Sequence, residues 1–298
     1  MVNPQALPNS SYLFLNDLRV HYLRWGVPGG QPVVLLHGLA SNARIWELTA
    51  PYLAQAGYDV IAPDQRGHGL TDKPDGDLGF ATYTRDLLAL ITSLELDRPI
   101  LVGHSWGASV VLEYAARFAI GPRAPAGIIL VDGGIIQLNA FPGATWEEMR
   151  DRLTPPRLAG MPLEKFLNLL SRPRDSWQPD DQTLQIILGN FEIREDETIA
   201  PHLRFEQHMQ IVRAMWDSNT YEYFSRLRCP TLLLPAYPAI PIPPDEQDFL
   251  SAKEAGLAEI VKSNPKIRYI WMKDSIHDIP LQHPEPLANR MIEFIQTL

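Results

Sequence analysis

Several features that mark specialised protein classes are scarce or missing in this sequence. A single cysteine, Cys229, occurs among 298 residues, which excludes a disulfide framework and a thiolate metal cluster. No run of about eighteen apolar residues is present, and residues 1–5 carry neither the basic nor the apolar stretch of a signal peptide. We therefore expect a soluble, cytoplasmic protein without a membrane partner.

Basic residues are also in deficit. Lysine and arginine number 26 against 35 aspartates and glutamates, so the formal net charge is −9, and the basic residues form no cluster. This excess of negative charge argues against a nucleic acid or an anionic membrane surface as partner. We interpret the charge as favouring solubility. A hydrophobic content of 45% and a charged content of 20% are ordinary for a globular enzyme.

What is present is an alternation of buried strands and helices. Residues 12–25 predict a hairpin of two half-buried strands, with Asn16 and Asp17 in the turn. Apolar runs of strand length follow, with helical periods between them: 32–36, 58–62, 99–102, 127–131, 229–234 and 267–272. This order predicts an α/β fold whose mostly parallel central sheet is flanked by helices, with ligand sites at the carboxyl ends of the strands.

The alternation stops between residues 135 and 221. No clear strand is seen there, whereas helical periods cover 146–153, 162–170, 181–188 and 205–216. We interpret this stretch as an inserted helical cap, so that the chain consists of a first α/β part (1–134), the cap (135–221) and a second α/β part (222–298). Its methionines and tryptophans suit either an adaptable apolar pocket wall or the packing of the insert itself.

The most informative stretch runs from residue 99 to 114, where a short apolar strand enters a Gly-x-Ser-x-Gly turn and leaves as a helix. A serine at the apex of so sharp a turn has a strained backbone. Gly103 and Gly107 are needed because strand and helix crowd together there. The free N–H groups of the helix N-terminus favour negative charge that develops beside Ser105. Ser105 is therefore the candidate nucleophile.

The chain resembles the α/β-hydrolase superfamily over residues 12–134 and 221–298. The resemblance lies in three motifs, which occur in the order and spacing of that family: His37-Gly38, Asp-Gln-Arg-Gly-His-Gly at 64–69 and Gly-His-Ser-Trp-Gly at 103–107. It implies a central, mostly parallel sheet, a nucleophile elbow at Ser105, a base at His277 and a helical cap between the sixth and seventh strands.

A serine nucleophile needs a neutral imidazole to take its proton and a carboxylate to orient that imidazole. His277 fits the base because it follows the last predicted strand directly, and His283 is the alternative. Three other histidines are interpreted as packed or hydrogen-bonded residues: His37, His68 and His104. His202 and His208 have the wrong spacing for two ligands on one helical face, so we expect no metal. We expect no cofactor either.

The acid departs from the commoner family pattern. That pattern has an aspartate shortly after the seventh strand, whereas Pro235-Ala236-Tyr237-Pro238-Ala239 follows here. Asp132, at the end of the sixth strand, is the favoured candidate, since a strand end is a rigid mount; its alternative role is capping of a loop. Asp245 is the second candidate, and it also suits the N-cap of the following helix. An incomplete triad is the third possibility.

Two backbone N–H groups, of Leu39 and Trp106, are expected to form the oxyanion hole, and Gly38 allows its loop to approach closely. An aspartate at position 105 would have indicated the epoxide hydrolases and haloalkane dehalogenases, which resemble this chain at Trp106 and in the capped layout. Serine instead implies an acyl-enzyme formed by attack on a carbonyl.

We therefore expect a hydrolase that cleaves a carboxylic ester or lactone of a small, largely apolar substrate. Three alternatives remain open. The first is a cofactor-free haloperoxidase or perhydrolase, and the second is a hydrolase of carbon–carbon bonds. The third is a small-ligand receptor that retains the triad. The sequence does not indicate the oligomeric state.

Overall fold

The computed structural model describes residues 7–141, 143–171 and 177–298, except for the side chains of Pro244 and Asp245. The strands are β1 Asn9–Leu15, β2 Leu18–Trp25, β3 Pro32–Leu36, β4 Asp59–Pro63, β5 Ile100–His104, β6 Gly127–Val131, β7 Met161–Pro162, β8 Phe191–Ile193, β9 Thr198–Pro201, β10 Thr231–Leu234, β11 Ala236–Tyr237, β12 Arg268–Tyr269 and β13 Met272–Lys273.

The α-helices are α1 Ala50–Gln55, α2 Phe80–Ser93, α3 Trp106–Arg117, α4 Trp146–Leu153, α5 Leu163–Leu170, α6 Asp181–Leu188, α7 Phe205–Asp217, α8 Thr220–Arg226, α9 Pro244–Ser263, α10 Ile279–Gln282 and α11 Pro284–Ile295. Short 3₁₀ helices cover Ala43–Trp46 and Leu138–Ala140. Within the described ranges, no helix has the length and apolar content that crossing a bilayer requires.

The predicted α/β architecture is confirmed. The main sheet has eight strands in the order β1-β2-β4-β3-β5-β6-β10-β12. Neighbouring strands from β4 to β12 are parallel, whereas β2 runs antiparallel to both β1 and β4. Because β3, β5 and β6 lie side by side near the middle, the loops that follow them meet at one edge of the sheet.

Both faces of the sheet are covered, which is why its strands are continuous apolar runs. Along β3, Val34 and Leu36 pack into a core with residues of α2 and α3, whereas Val33 and Leu35 pack into a second core with residues of α1 and α11. Side chains alternate between the faces of a strand, so a strand between two cores needs apolar residues at every position. Burial on both sides holds the strand ends in place.

The predicted N-terminal hairpin is present as β1 and β2. Leu15 pairs with Leu18 across a two-residue turn, in which Asn16 and Asp17 have φ angles of 50° and 60°. Positive φ at both positions defines the type I′ turn, whose twist matches that of the strands. Asparagine and aspartate tolerate this conformation better than most residues.

The insert, defined as residues 135–221, contains strands that the sequence did not predict. It contains the predicted helices as α4 to α7, but three short strands also pair there in the order β7-β9-β8. These strands are two to four residues long, too short for an alternating pattern to be recognised in the sequence. A small core of Phe166, Leu188 and Ile199 belongs to this region.

The last predicted strand, residues 267–272, is also interrupted. β12 pairs with β10, whereas β13 pairs with β11. The interruption lies opposite Pro235, which has no N–H to donate, although the Pro235 carbonyl still accepts a hydrogen bond from Met272 N–H at 2.8 Å. The proline therefore divides one expected ladder into two short ones.

Strand β5 and helix α3 meet almost without side chains between them. A Cβ atom at Gly103 would lie 2.5 Å from Cα of Ala108, and a Cβ atom at Gly107 would lie 2.8 Å from the carbonyl oxygen of Leu36. Both distances are shorter than van der Waals contact, and the atoms met are backbone atoms. The two glycines are therefore required by close packing of the elements that flank Ser105.

We expect Gly103→Ala to destabilise the fold by about 3 kcal/mol, because its methyl group meets backbone that cannot move aside. Urea denaturation measures this loss. Gly57→Ala is the matched control: Gly57 has a φ of 92°, but an added Cβ meets nothing within 4 Å, so the expected loss is backbone strain of about 1–2 kcal/mol. Equal losses in the two variants would contradict the packing argument.

Candidate active site

Ser105 forms the turn between β5 and α3. Its φ of 55° and ψ of −124° lie in a region that serine rarely adopts. The Ser105 N–H donates to the carbonyl of Val131 at 2.9 Å, which ties the turn to the end of β6. A Cβ atom at Gly133 would lie 2.6 Å from Cα of Ser105, so the loop after β6 passes directly against this turn. The position of the hydroxyl is thus fixed by two neighbouring strands.

His277 lies in the loop between β13 and α10, and its side chain is 55% exposed. Its Nε2 lies 2.8 Å from Ser105 Oγ. The main chain at His277 is held by His104, whose Nε2 lies 2.9 Å from the His277 carbonyl oxygen. His104 is buried, in agreement with its interpretation as a packed or hydrogen-bonded residue, and its hydrogen bond reaches from the end of β5 to a loop that is distant in the sequence. Burial lowers the pKa of His104 to about 4, so it is neutral at neutral pH.

Asp132 follows β6 directly, and its side chain is 1% exposed. Its Oδ2 lies 2.6 Å from His277 Nδ1. Its Oδ1 accepts the Ala236 N–H at 2.9 Å and forms an ion pair with Lys253 Nζ at 2.7 Å. Ser105, His277 and Asp132 are thus joined in one hydrogen-bonded chain. Sequence reasoning missed Lys253, since nothing in its helix or spacing marks it.

The charge states of Asp132 and His277 follow from their contacts. Burial raises the pKa of the Asp132 carboxyl, but the hydrogen bond from His277 and the charge of Lys253 outweigh it, so the pKa lies well below its ordinary range. The protein around His277 lowers its pKa, but the hydrogen bond to Asp132 and its negative charge outweigh this, and the pKa lies above the ordinary 6.5. Asp132 is therefore ionised, and His277 becomes neutral above its raised pKa.

The alternative candidates for acid and base lie elsewhere. Asp245 is in the first turn of α9, which begins at Pro244 with Pro243 as its N-cap. The expectation that Asp245 caps this helix is wrong, because the proline itself takes the first helical position. The side chain of Asp245 lies outside the described residues. His283 bonds through Nε2 to the carbonyl of Asp274 at 3.1 Å.

The loop after β3 lies against the hydroxyl of Ser105. A Cβ atom at Gly38 would lie 3.0 Å from Ser105 Cβ and 3.5 Å from Oγ, so Leu39 follows a residue in close contact with the turn. Trp106 is the first residue of α3, where backbone N–H groups have no partner within the helix. The backbone N–H groups of Leu39 and Trp106 thus belong to the segments that flank the hydroxyl.

Two buried histidines hold the surrounding loops. His37 Nε2 accepts the Gln65 N–H at 3.0 Å, so its Nδ1 carries the proton and donates to the Gly38 carbonyl at 2.8 Å. His68 stacks on Trp106 with ring centroids 5.5 Å apart, and burial lowers its pKa to about 3. Both therefore act as neutral, hydrogen-bonded loop residues, in agreement with their interpretation from the sequence.

A cavity of about 410 Å³ opens beside Ser105 and His277, a volume typical of sites for small molecules. The insert, α2 and α9 supply most of its apolar lining: Phe80, Leu138, Leu153, Met215, Phe249 and Leu250. The insert therefore supplies part of the cavity wall. Met215 is a methionine of the insert that lines the cavity. Among the described residues, no group of three or more His, Cys, Asp or Glu side chains could hold a metal ion.

A second hydrogen-bonded chain of serine, histidine and aspartate begins on the edge strand β1, and the sequence did not predict it. Ser10 Oγ is 2.9 Å from His21 Nε2, and His21 Nδ1 is 2.8 Å from Asp64 Oδ2. Ser10, however, is exposed on β1 in a regular ladder with β2, without the sharp turn and helix N-terminus found at Ser105. Asp64 also accepts the N–H groups of Ala43 and Leu70, which indicates a structural role.

Comparison with known proteins gives the family. Residues 33–290 match the model of the Alpha/beta hydrolase family. Epoxide hydrolase A of Mycobacterium tuberculosis is 38% identical over 106 residues, which are 35% of this chain and 33% of that protein. Non-heme chloroperoxidase of Streptomyces lividans is 37% identical over 110 residues, which are 37% of this chain and 40% of that protein. The matched segments thus span less than half of these relatives.

The fold is shared more widely than the sequence. The crystal structure of E-2-(acetamidomethylene)succinate hydrolase superposes with a TM-score of 0.75 at 20% identity, and the match covers 97% of this chain and 99% of that one. Identity this low shows the fold alone. The match to the family model, in contrast, extends from β3 into α11 and includes the turn at Ser105. On this match, the chain belongs to the Alpha/beta hydrolase family.

Proposed function

We propose that this protein is a serine hydrolase that cleaves a carboxylic ester or lactone of a small, largely apolar substrate through an acyl-enzyme on Ser105. The observation that carries the proposal is the hydrogen-bonded chain from Ser105 through His277 to Asp132, which opens onto a largely apolar cavity. A serine hydroxyl in contact with a neutral imidazole, backed by a buried carboxylate, can lose its proton as it attacks a carbonyl.

The reaction follows from these contacts. Ser105 Oγ attacks the carbonyl carbon while its proton passes to His277 Nε2, and ionised Asp132 stabilises the imidazolium. The backbone N–H groups of Leu39 and Trp106 donate to the oxyanion. The bond to the alcohol oxygen then breaks, and His277 returns the proton to that oxygen. Water, deprotonated by His277, then attacks the acyl carbon; the bond to Ser105 Oγ breaks, His277 returns the proton to Oγ, and the carboxylic acid is released.

Epoxide opening is disfavoured by the same residue. An aspartate that opens an epoxide forms an ester, which water can hydrolyse, whereas a serine would form a stable ether. The sequence similarity to Epoxide hydrolase A covers about a third of each chain. Ser105 therefore favours a carbonyl substrate.

A peroxide-dependent reaction is the second candidate, because Non-heme chloroperoxidase is among the relatives. Hydrogen peroxide in place of water would release a peracid from the same acyl-enzyme, and the peracid would oxidise a halide. Bromide oxidation that requires both peroxide and an acyl donor, and that is faster than hydrolysis of the same ester, would favour this candidate.

The first prediction concerns the nucleophile. We expect Ser105→Ala to abolish labelling by a fluorophosphonate probe and to lower turnover of short nitrophenyl esters by about 10⁴-fold or more, with the unfolding midpoint nearly unchanged. Ser10→Ala is the matched control, since Ser10 also contacts a histidine. Mass spectrometry identifies the labelled residue. Labelling of Ser105→Ala at another serine would contradict the assignment of Ser105 as the nucleophile.

The second prediction concerns pH. His277 must be neutral to accept the serine proton, and Asp132 raises the pKa of His277. The kcat/KM for an ester should therefore rise with pH, with its midpoint above about 6.5. A midpoint clearly below that value, with chemistry as the limiting step, would mean that Asp132 does not act on the base.

The third prediction distinguishes the two candidate acids. We expect Asp132→Asn to reduce ester turnover roughly a thousandfold or more, because the imidazole loses its orienting carboxylate. Asp245→Asn should change turnover little. The reverse ranking would overturn the assignment, and two near-neutral results would favour a dyad or a receptor.

A further inference from the structure

The Asp132 carboxylate has a cationic partner on the side away from His277. Oδ2 faces the imidazole, whereas Oδ1 forms the ion pair with Lys253 at 2.7 Å and also accepts the Ala236 N–H. The carboxylate itself is almost fully buried. Its two oxygens therefore have separate partners, and rotation of the carboxylate would break both sets of contacts.

Lys253 is itself fixed in place. Its side chain is 16% exposed and projects from α9 into the lining of the cavity that contains Ser105. Its Nζ donates a second hydrogen bond, to the Ala236 carbonyl at 3.1 Å. The N–H of Ala236 binds Asp132 while its carbonyl binds Lys253, so these three residues form a closed arrangement behind His277.

Resting on the proposed function, we propose that Lys253 is a positioning residue of the hydrolase: it holds the Asp132 carboxylate toward His277 and offsets part of its negative charge. The imidazole is thereby oriented by a carboxylate without being overly stabilised in its protonated form.

The charges around His277 give the direction of this effect. Asp132 at the end of β6 and Asp278 in the same loop favour the imidazolium, whereas Lys253 on α9 disfavours it. His104, packed against the ring of His277 with centroids 4.9 Å apart, is neutral at neutral pH. Glu246, also on α9, lines the same cavity. Lys253 is thus the cation that opposes these carboxylates, and removing it should raise the pKa of His277.

The chain has a structural reason for this arrangement. The loop after β10 carries no acid at Pro235 to Ala239; the carboxylate comes from Asp132 at the end of β6, and Lys253 of α9 reaches the Ala236 carbonyl beside it. An uncompensated charge at a site as buried as Asp132 is costly, and an ammonium group beside it reduces that cost. Lys253 fills this position.

The experiment measures the pKa of His277 directly, by NMR titration of its imidazole, and in parallel through the pH profile of kcat/KM for a nitrophenyl ester. We expect Lys253→Met to raise both values by about one pH unit. Lys253→Arg keeps the positive charge, so both pKa values should stay close to those of the unaltered protein. If Lys253→Met does not fold, Lys253→Gln removes the charge while keeping a polar group.

Lys262→Met is the matched control, because Lys262 lies on the same helix with its side chain 79% exposed. It should leave both values unchanged. An unchanged pKa of His277 in folded Lys253→Met or Lys253→Gln would overturn the inference, and so would an equal shift in Lys262→Met. The NMR titration needs no turnover. Absence of ester hydrolysis by the unaltered protein would therefore count against the proposed function, whereas an unshifted titration would count against Lys253.

Discussion

The close approach of three strand ends around Ser105 is the constraint on which the rest of the site depends. Gly38, Gly107 and Gly133 lie where the loops and helix after β3, β5 and β6 touch, and a Cβ atom at any of them would meet atoms of another segment. The parallel sheet brings these segments to one edge, and the missing side chains let them meet. The strained turn at Ser105 is therefore maintained by its surroundings rather than by its own preference.

The buried carboxylate of Asp132 joins the two halves of the α/β core. Its own strand, β6, precedes the insert, whereas its three partners, Ala236, Lys253 and His277, all follow it. Losing any one partner would leave a lone pair of a carboxylate that is 1% exposed unsatisfied, which is costly. The same contacts that suit Asp132 to orient an imidazole therefore also hold the second part of the chain against the first.

Local rules predict much of this molecule. The turn of the hairpin at Asn16 and Asp17, the buried strands and the Gly103–Gly107 turn all follow from the conformational limits of single residues and from periodicity. The strands of the insert escape prediction because two to four residues are too few for an alternating pattern to be recognised. The break opposite Pro235 depends on which strand Pro235 faces. The contact of Lys253 with Asp132 depends on how α9 packs against the sheet. Local sequence patterns do not predict this packing.

The hydrogen-bonded chain joins residues that are synthesised at different times. His277 follows Ser105 by 172 residues. At about 5–20 residues per second, a ribosome takes roughly 10–30 s to add that stretch. During this interval the nascent chain carries an ordinary serine hydroxyl, which is a weak nucleophile. The contacts of Ser105 with His277 and of His277 with Asp132 thus form only when the segment that carries His277 docks, so a chain that ends before this segment cannot assemble the hydrogen-bonded chain.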